Sequence, residues 1–231
     1  MFDVQVELEK LAVNYEDKRP QHEPIVFHIR LRGDDTLFCV DLRNRGAPEV
    51  REAADPDAFY TWWTDRETLR RMVEGELGPG TAAAMEQITD DAPLKAVLPE
   101  GESWTMDHYH KVVEFETAFF NPFNPDRMRF GEAFARPVHG GHAVSLFTAK
   151  GLRSAWYSIH KGERINDDDH ANPFPSGIIV LSGRARGRIG GREAELIANE
   201  ATLIPAGATH TLWNEEDEPC TAIWIAWGIG A

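Results

Sequence analysis

The sequence predicts a mainly β protein: a small α+β domain over residues 1–90, a connector over 91–137, and a β-barrel over 138–231. Three observations predict it. From residue 128 onward, nine short apolar or alternating runs (128–135, 143–148, 154–159, 178–182, 185–189, 194–197, 201–204, 210–213 and 221–227) are separated by Gly, Pro or Asn turns. Many short strands punctuated in this way imply an all-β barrel or sandwich. The first ninety residues instead mix alternating runs with a helical one. Between the two lie turn-rich segments, including two Asn-Pro pairs within 121–125, which mark a boundary.

The elements follow in order. Residues 2–8 alternate strictly, but the apolar run continues through Val13, so helix and strand compete there. Residues 25–31 and 36–42 alternate around Gly33-Asp34-Asp35, a hairpin signal. A strand is expected at 58–64. Asp65 then caps a helix whose Leu69, Met72 and Val73 share one face. Gly75 and the 77–80 run break that helix, and Thr81 to Met85 begins another.

Composition narrows the functional classes. The 231 residues are 42% hydrophobic, enough for real cores, and the formal net charge is −14. An acidic surface repels phosphate backbones, which disfavours nucleic acid and anionic membrane as partners. No apolar run approaches the roughly 18 residues that span a bilayer, and the N-terminus lacks a signal-peptide pattern. The two cysteines, Cys39 and Cys220, sit far apart in apolar runs and read as buried free thiols of a reducing compartment. A cytoplasmic protein is expected, with a small-molecule substrate or apolar ligand as partner and a homodimer left open.

The densest chemical signal is Pro205-Ala-Gly207-Ala-Thr-His210, closed by Asn214. Pro fixes φ and Gly permits a tight reversal, so the turn determines where His210 points. On a strand His210 and Leu212 share a face. Residues 143–228 resemble the cupins, double-sheet barrels related to jelly rolls. Their second motif reads Gly-x5-Pro-x-Gly-x2-His-x3-Asn; Asn199 replaces the first Gly, while Pro205, Gly207, His210 and Asn214 match. Counting back from Gly183, the first motif, His-x-His-x(3,4)-Glu-x6-Gly, places its histidines on His170 and Asn172 and its Glu on Ser176. The resemblance thus implies a metal site reduced to His170 and His210, for one divalent transition metal (Fe, Cu, Ni or Zn), with Asn172, Asp169, His160 or water completing it. Without a metal, His210 is the acid–base group, and Asn172 and Ser176 orient the substrate. The order of elements over residues 20–90 is similar to that of the sterol-carrier-protein-2 family, which implies an apolar lipid tunnel.

Other residues compete for a role. His108-Tyr-His110 with Glu114 has the ligand spacing of the first motif, but on a helix residues two apart diverge by about 200° and cannot chelate together. On a strand His108, His110 and Glu114 would share a face; Thr105 or Asp107 as an N-cap before the apolar run favours a helix or an ambiguous apolar segment. Asp167 to Asp169 read as a solvated acidic turn, and Arg184, Arg186 and Arg188 as an outward face. Trp156, Tyr157, Trp213, Trp224 and Trp227 supply aromatics for a core or an apolar cavity. The expected function is a cupin-type small-molecule enzyme of oxygenase, isomerase, cyclase or lyase type acting on an apolar or aromatic compound. The alternative is a non-enzymatic binding protein for such a molecule or a lipid.

Overall fold

The computed structural model describes residues 2–34, 36–84, 92–167 and 170–231. Asp35, Met85 and Asp169, which figure in the expectations above, lie outside the described residues. The chain forms two compact units, Met1–Ala83 with Asp91–Arg129 and Ala84–Asp90 with Phe130–Ala231.

The first unit opens on helix α1 (Val4–Lys18), capped by the Asp3 carboxylate, which accepts from the Val6 N–H. Helix wins over strand here because the buried positions Val4, Leu8, Leu11, Ala12 and Tyr15 recur at helical spacing; the alternation of residues 2–8 spans too little chain to compete. The hairpin follows as β1 (Val26–Leu31) and β2 (Leu37–Asp41), then β3 (Glu49–Arg51) and β4 (Thr61–Thr64). Asp65 caps α2 (Arg66–Val73) by accepting from the Thr68 N–H at 2.8 Å. Short α3 (Pro79–Ala83) follows, and β5 (Lys95–Val97) completes a sheet of order β3-β2-β1-β4-β5, in which β1 and β4 run parallel. The apolar face of α2 is packed into the core through Leu69 and Met72, both fully buried.

Residues 91–129, expected as part of a connector, belong to this unit. Helix α4 (Met106–Phe119) starts at Thr105, whose hydroxyl accepts from the His108 N–H. It contributes Val112, Phe115, Ala118 and Phe119 to the core. Beyond it, Lys18 Nζ, almost wholly buried, donates to the Ala118 and Asn121 carbonyls and to Asp126 Oδ1 at 2.6–2.8 Å. The Pro-rich segment 121–127 is anchored to this unit through buried Asn121 and through Asp126, while Asn124, Pro125 and Arg127 are exposed. Because α4 is helical, His108 and His110 point apart, and the His-x-His-x3-Glu spacing assembles nothing; His108 instead meets Phe59 edge-on.

Glu116 is buried on the same helix, 3% exposed, and burial pushes its carboxyl well above the usual range. The folded state then keeps a proton that the unfolded chain releases above about pH 4.3, so this residue costs stability progressively as pH rises above that value. Glu116→Gln is expected to stabilise the first unit near pH 7.5, where folding of the wild-type chain must take up a proton. The gain vanishes near pH 4. Urea unfolding at the two pH values measures it, and a pH-independent effect refutes the assignment.

In the second unit a 3-10 turn (Glu132–Phe134) leads into β6 (Arg136–Val138), so the expected strand at 128–135 is not formed. There follow β7 (Gly141–Ala149), β8 (Leu152–Ile159), β9 (Arg164–Ile165), β10 (Ser176–Ser182), β11 (Arg184–Ile189), β12 (Arg192–Ile197), β13 (Ala201–Ile204), β14 (His210–Trp213) and β15 (Cys220–Trp227). They build a six-stranded sheet, β13-β10-β15-β8-β7-β6, and a four-stranded sheet, β12-β11-β14-β9. The core includes Ile178, Val180, Ala222 and Ile159 from the first sheet and Ala185, Leu196, Leu212 and Ile165 from the second. The β10–β11 turn needs Gly183: its φ is +74°, and a Cβ there would sit 2.4 Å from the Pro219 carbonyl oxygen. Both cysteines are free and buried, one in each unit, and burial raises the Cys220 thiol to about 11. Among the described residues no helix is long and apolar enough to cross a membrane.

Candidate functional site

The site is built by the turn between β13 and β14. Gly207, at φ +77°, reverses the chain, and its N–H donates to the Asn172 carbonyl at 2.8 Å. Ala171 bridges Thr209 beside it. His210 therefore enters β14 opposite Ile189 and shares a face with core residue Leu212. It is 7% exposed. Its Nδ1 faces the Ala208 carbonyl at a long 3.4 Å; a carbonyl only accepts, so this contact places the ring proton on Nδ1 and leaves a lone pair on Nε2. Burial holds the imidazole below its ordinary pKa, opposed by the Ala208 carbonyl and reinforced by the charge of nearby His170. His210 is thus neutral near pH 7, with an acceptor nitrogen.

His170 is exposed. What ties it to His210 is Asn166, a residue that the sequence reading passed over. Its Nδ2 donates to the carbonyls of His170 at 2.9 Å and His210 at 2.6 Å. Its φ is +59°, a left-handed conformation that Asn tolerates. That tolerance, at the head of an Asp run, was the available signal.

Ser176 sits on β10 between Ile204 and Ala226, on the same inward face as core residues Ile178 and Val180. It is fully buried, and among the described residues its hydroxyl has no hydrogen-bond partner. Leaving a buried hydroxyl unpaired costs roughly 1–3 kcal/mol, so this atom marks a place for a polar group. Asn172 is half-buried beside it in sequence, followed by buried Phe174. Two aromatics face the interior, Tyr157 and Trp224, both half-buried against the barrel core. Burial raises the Tyr157 phenol to about 12, which keeps it a neutral donor. Trp156 and Ser158 take the opposite face of β8. Trp213 lies under the Arg164 guanidinium at 4.7 Å, and Trp227 is exposed. Arg184, Arg186 and Arg188 point outward and pair with Glu195, Glu215 and Glu193.

Of the partners expected to complete a metal site with His170 and His210, Asp169 lies outside the described residues. Among the described residues, no third His, Cys, Asp or Glu comes within ligand distance of His170 and His210. His160 does not complete that set either. It lies with His142 and Glu163 in a separate cluster whose ligand atoms all fall within 4.8 Å of one another.

The second unit is a two-sheet antiparallel β-barrel whose interior is mainly aliphatic, with Tyr157 and Trp224 packed against that core and Ser176 and His210 buried. The family model described as "Cupin domain" matches residues 155–226, and the C-terminal domain is a cupin-superfamily domain. The match does not reach residues 20–90. No curated protein matches the chain. Among solved structures, a cupin 2 conserved barrel domain protein from Salinispora arenicola is 19% identical with a TM-score of 0.38, covering 43% of this chain and 86% of that one. The plu4264 protein of Photorhabdus luminescens is 16% identical at a TM-score of 0.40, covering 43% and 85%. The cupin domain of an XRE family transcriptional regulator from Enterobacter cloacae is 14% identical at 0.36, covering 38% and 97%.

Proposed function

We propose that the barrel interior binds a small apolar or aromatic compound and that His210 exchanges a proton with it. The observation that carries this reading is the Ser176 hydroxyl, buried, unpaired and aimed into the same interior as a neutral His210. A ligand hydroxyl or carbonyl satisfies Ser176, while Tyr157 and Trp224 supply apolar wall and a phenolic donor. A neutral imidazole with Nε2 free is a general base for carbon or oxygen acids. His210 then takes a proton at Nε2, and Ser176 and Asn172 hold the oxygen on which charge develops. Isomerase or lyase chemistry of the proton-transfer kind follows most directly from such a set.

A specific observation favours a second reading, non-enzymatic binding: among the described residues no third His, Cys, Asp or Glu joins His170 and His210 to form a ligand set. One experiment separates them. A set of small aromatic hydroxy and carbonyl compounds is screened by thermal shift, and hits are followed for turnover by NMR. His210→Ala is expected to lower turnover by about 10²–10⁴-fold with little loss of binding. Ser176→Ala is expected to weaken binding by about tenfold, or 1.4 kcal/mol. Turnover unchanged in His210→Ala sinks the acid–base role; binding without turnover in the wild type supports the carrier reading. Metal analysis of protein purified without chelator, alongside His170→Ala and His210→Ala, tests the remaining alternative, a divalent ion held between those two residues.

A further inference from the structure

The cluster formed by His142, His160 and Glu163 is not part of the barrel interior. On β7, His142 pairs with Ser158 of β8, which places it on the face opposite to Tyr157. His160 follows β8 by one residue, and Glu163 precedes β9. We propose that these three side chains form a divalent-cation site on the outer wall of the barrel, suited to zinc, with the fourth position open to water.

Four observations support it. First, Glu163 Oε1 lies 3.2 Å from His142 Nδ1 and 3.9 Å from His160 Nδ1. Tetrahedral ligands about 2.1 Å from a zinc ion lie about 3.4 Å from one another, so small rotamer changes close the set. Second, His142 Nδ1 is shielded from solvent and makes no hydrogen bond among the described residues: the nearby carboxylate oxygen lies off the line that one requires. An electron-pair acceptor between them resolves both. Third, the outward nitrogen of His160, Nε2, meets the Glu132 carboxylate at 3.0 Å. A carboxylate accepts, so the ring proton belongs on Nε2 and the Nδ1 lone pair faces the cluster. This is the arrangement by which second carboxylates fix metal-bound imidazoles. Fourth, the loop is held before any ion arrives. Glu163 Oε2 accepts from the His160 N–H at 2.7 Å, and the Gly162 N–H donates to the Asn214 carbonyl at 2.8 Å. The two imidazoles sit 4.5 Å apart, centroid to centroid. Two imidazoles and one carboxylate suit zinc and its first-row neighbours, not calcium or magnesium. The ion would tie the start of β7 to the β8–β9 loop.

The test uses the full chain, treated with chelator and titrated with Zn²⁺ by calorimetry. One ion per chain is expected, with a rise in melting temperature of roughly 5 °C at a hundredfold excess over Kd. His142→Ala and the isosteric Glu163→Gln should each weaken binding at least about 100-fold, and Glu132→Gln, a positioning change, by about 10–100-fold. Circular dichroism establishes that each variant is folded, and Glu163→Gln keeps the loop contact if the alanine variant does not fold. Binding must survive in the His170→Ala/His210→Ala double variant. Loss of binding there places the ion inside the barrel and overturns the proposal. So does full affinity in Glu163→Gln, or the absence of saturable binding at micromolar zinc in the wild type.

Discussion

Replacing Phe119 by alanine is expected to destabilise the first unit by about 3–5 kcal/mol. The ring is fully buried at the end of α4. It stacks on Phe115 at 5.3 Å and 15°, and meets Phe27 and Phe120 edge-on at 5.0 and 5.1 Å. Each ring pair contributes about 0.5–1.5 kcal/mol beyond simple burial. Truncation also leaves a cavity whose walls are β1, α1 and α4, and three rigid elements relax poorly around it. Domains of this size are stable by only about 5–15 kcal/mol, so the variant should lose much of its margin. The same residue in an exposed connector would matter by no more than about 0.5 kcal/mol, so the measurement decides between the two placements. Segment-resolved hydrogen exchange is the suitable readout. Protection should fall across β1, β2 and α4 while β10 and β15 keep theirs. A change under 1 kcal/mol would show that α4 does not belong to the core.

That contrast shows why the β half was more legible than the first. Strands β10 to β15 lie within about two residues of their expected bounds, because one face of each is buried and alternation is then enforced. Two-residue β9 carries no period to read. In α4, His108, His110 and Glu114 imitate a metal motif, and only the Thr105 cap with Val112, Phe115 and Phe119 reveals a helix. Inside the barrel, the motif spacing located His210 and placed Ser176 by counting. The orphaned state of the Ser176 hydroxyl depends on what β13 and β15 set beside it, which lies outside any local window. The outer cluster is further still from sequence: Glu132 from the 3-10 turn, His142 from β7, and His160 and Glu163 from the β8–β9 loop are brought together by the β7–β8 pairing. A histidine opposite Ser158 and another two residues beyond it on the same face was the one trace available.

Asn214 closes the motif that identified the barrel, and spacing alone does not say whether such a residue binds a ligand or holds the chain. The structure answers through its partners. Its Nδ2 donates to the Ile159 carbonyl at 2.9 Å and the Glu218 carbonyl at 2.8 Å, while its Oδ1 accepts from the Glu216 N–H at 2.8 Å. The side chain, 1% exposed, joins the end of β8 to the turn after β14. Asn214→Ala removes three such bonds, each worth about 1 kcal/mol net and more where a buried group is left unpaired, so a loss of about 3 kcal/mol is expected. Asn214→Asp is the sharper variant. It is nearly isosteric, yet it turns a donor into a carboxylate oxygen facing two carbonyl oxygens, and it should destabilise the barrel more than alanine does. A ligand role predicts the reverse order, with a carboxylate tolerated or even favoured near a cation. Chemical unfolding of the two variants, followed through barrel strands by hydrogen exchange, ranks them. If Asn214→Asp proves as stable as the wild type, the staple is refuted. If it ranks below alanine while the folded fraction still binds what the barrel binds, the motif divides cleanly: Asn214 holds the β8 end of the wall, and His210, four residues earlier, faces the molecule inside.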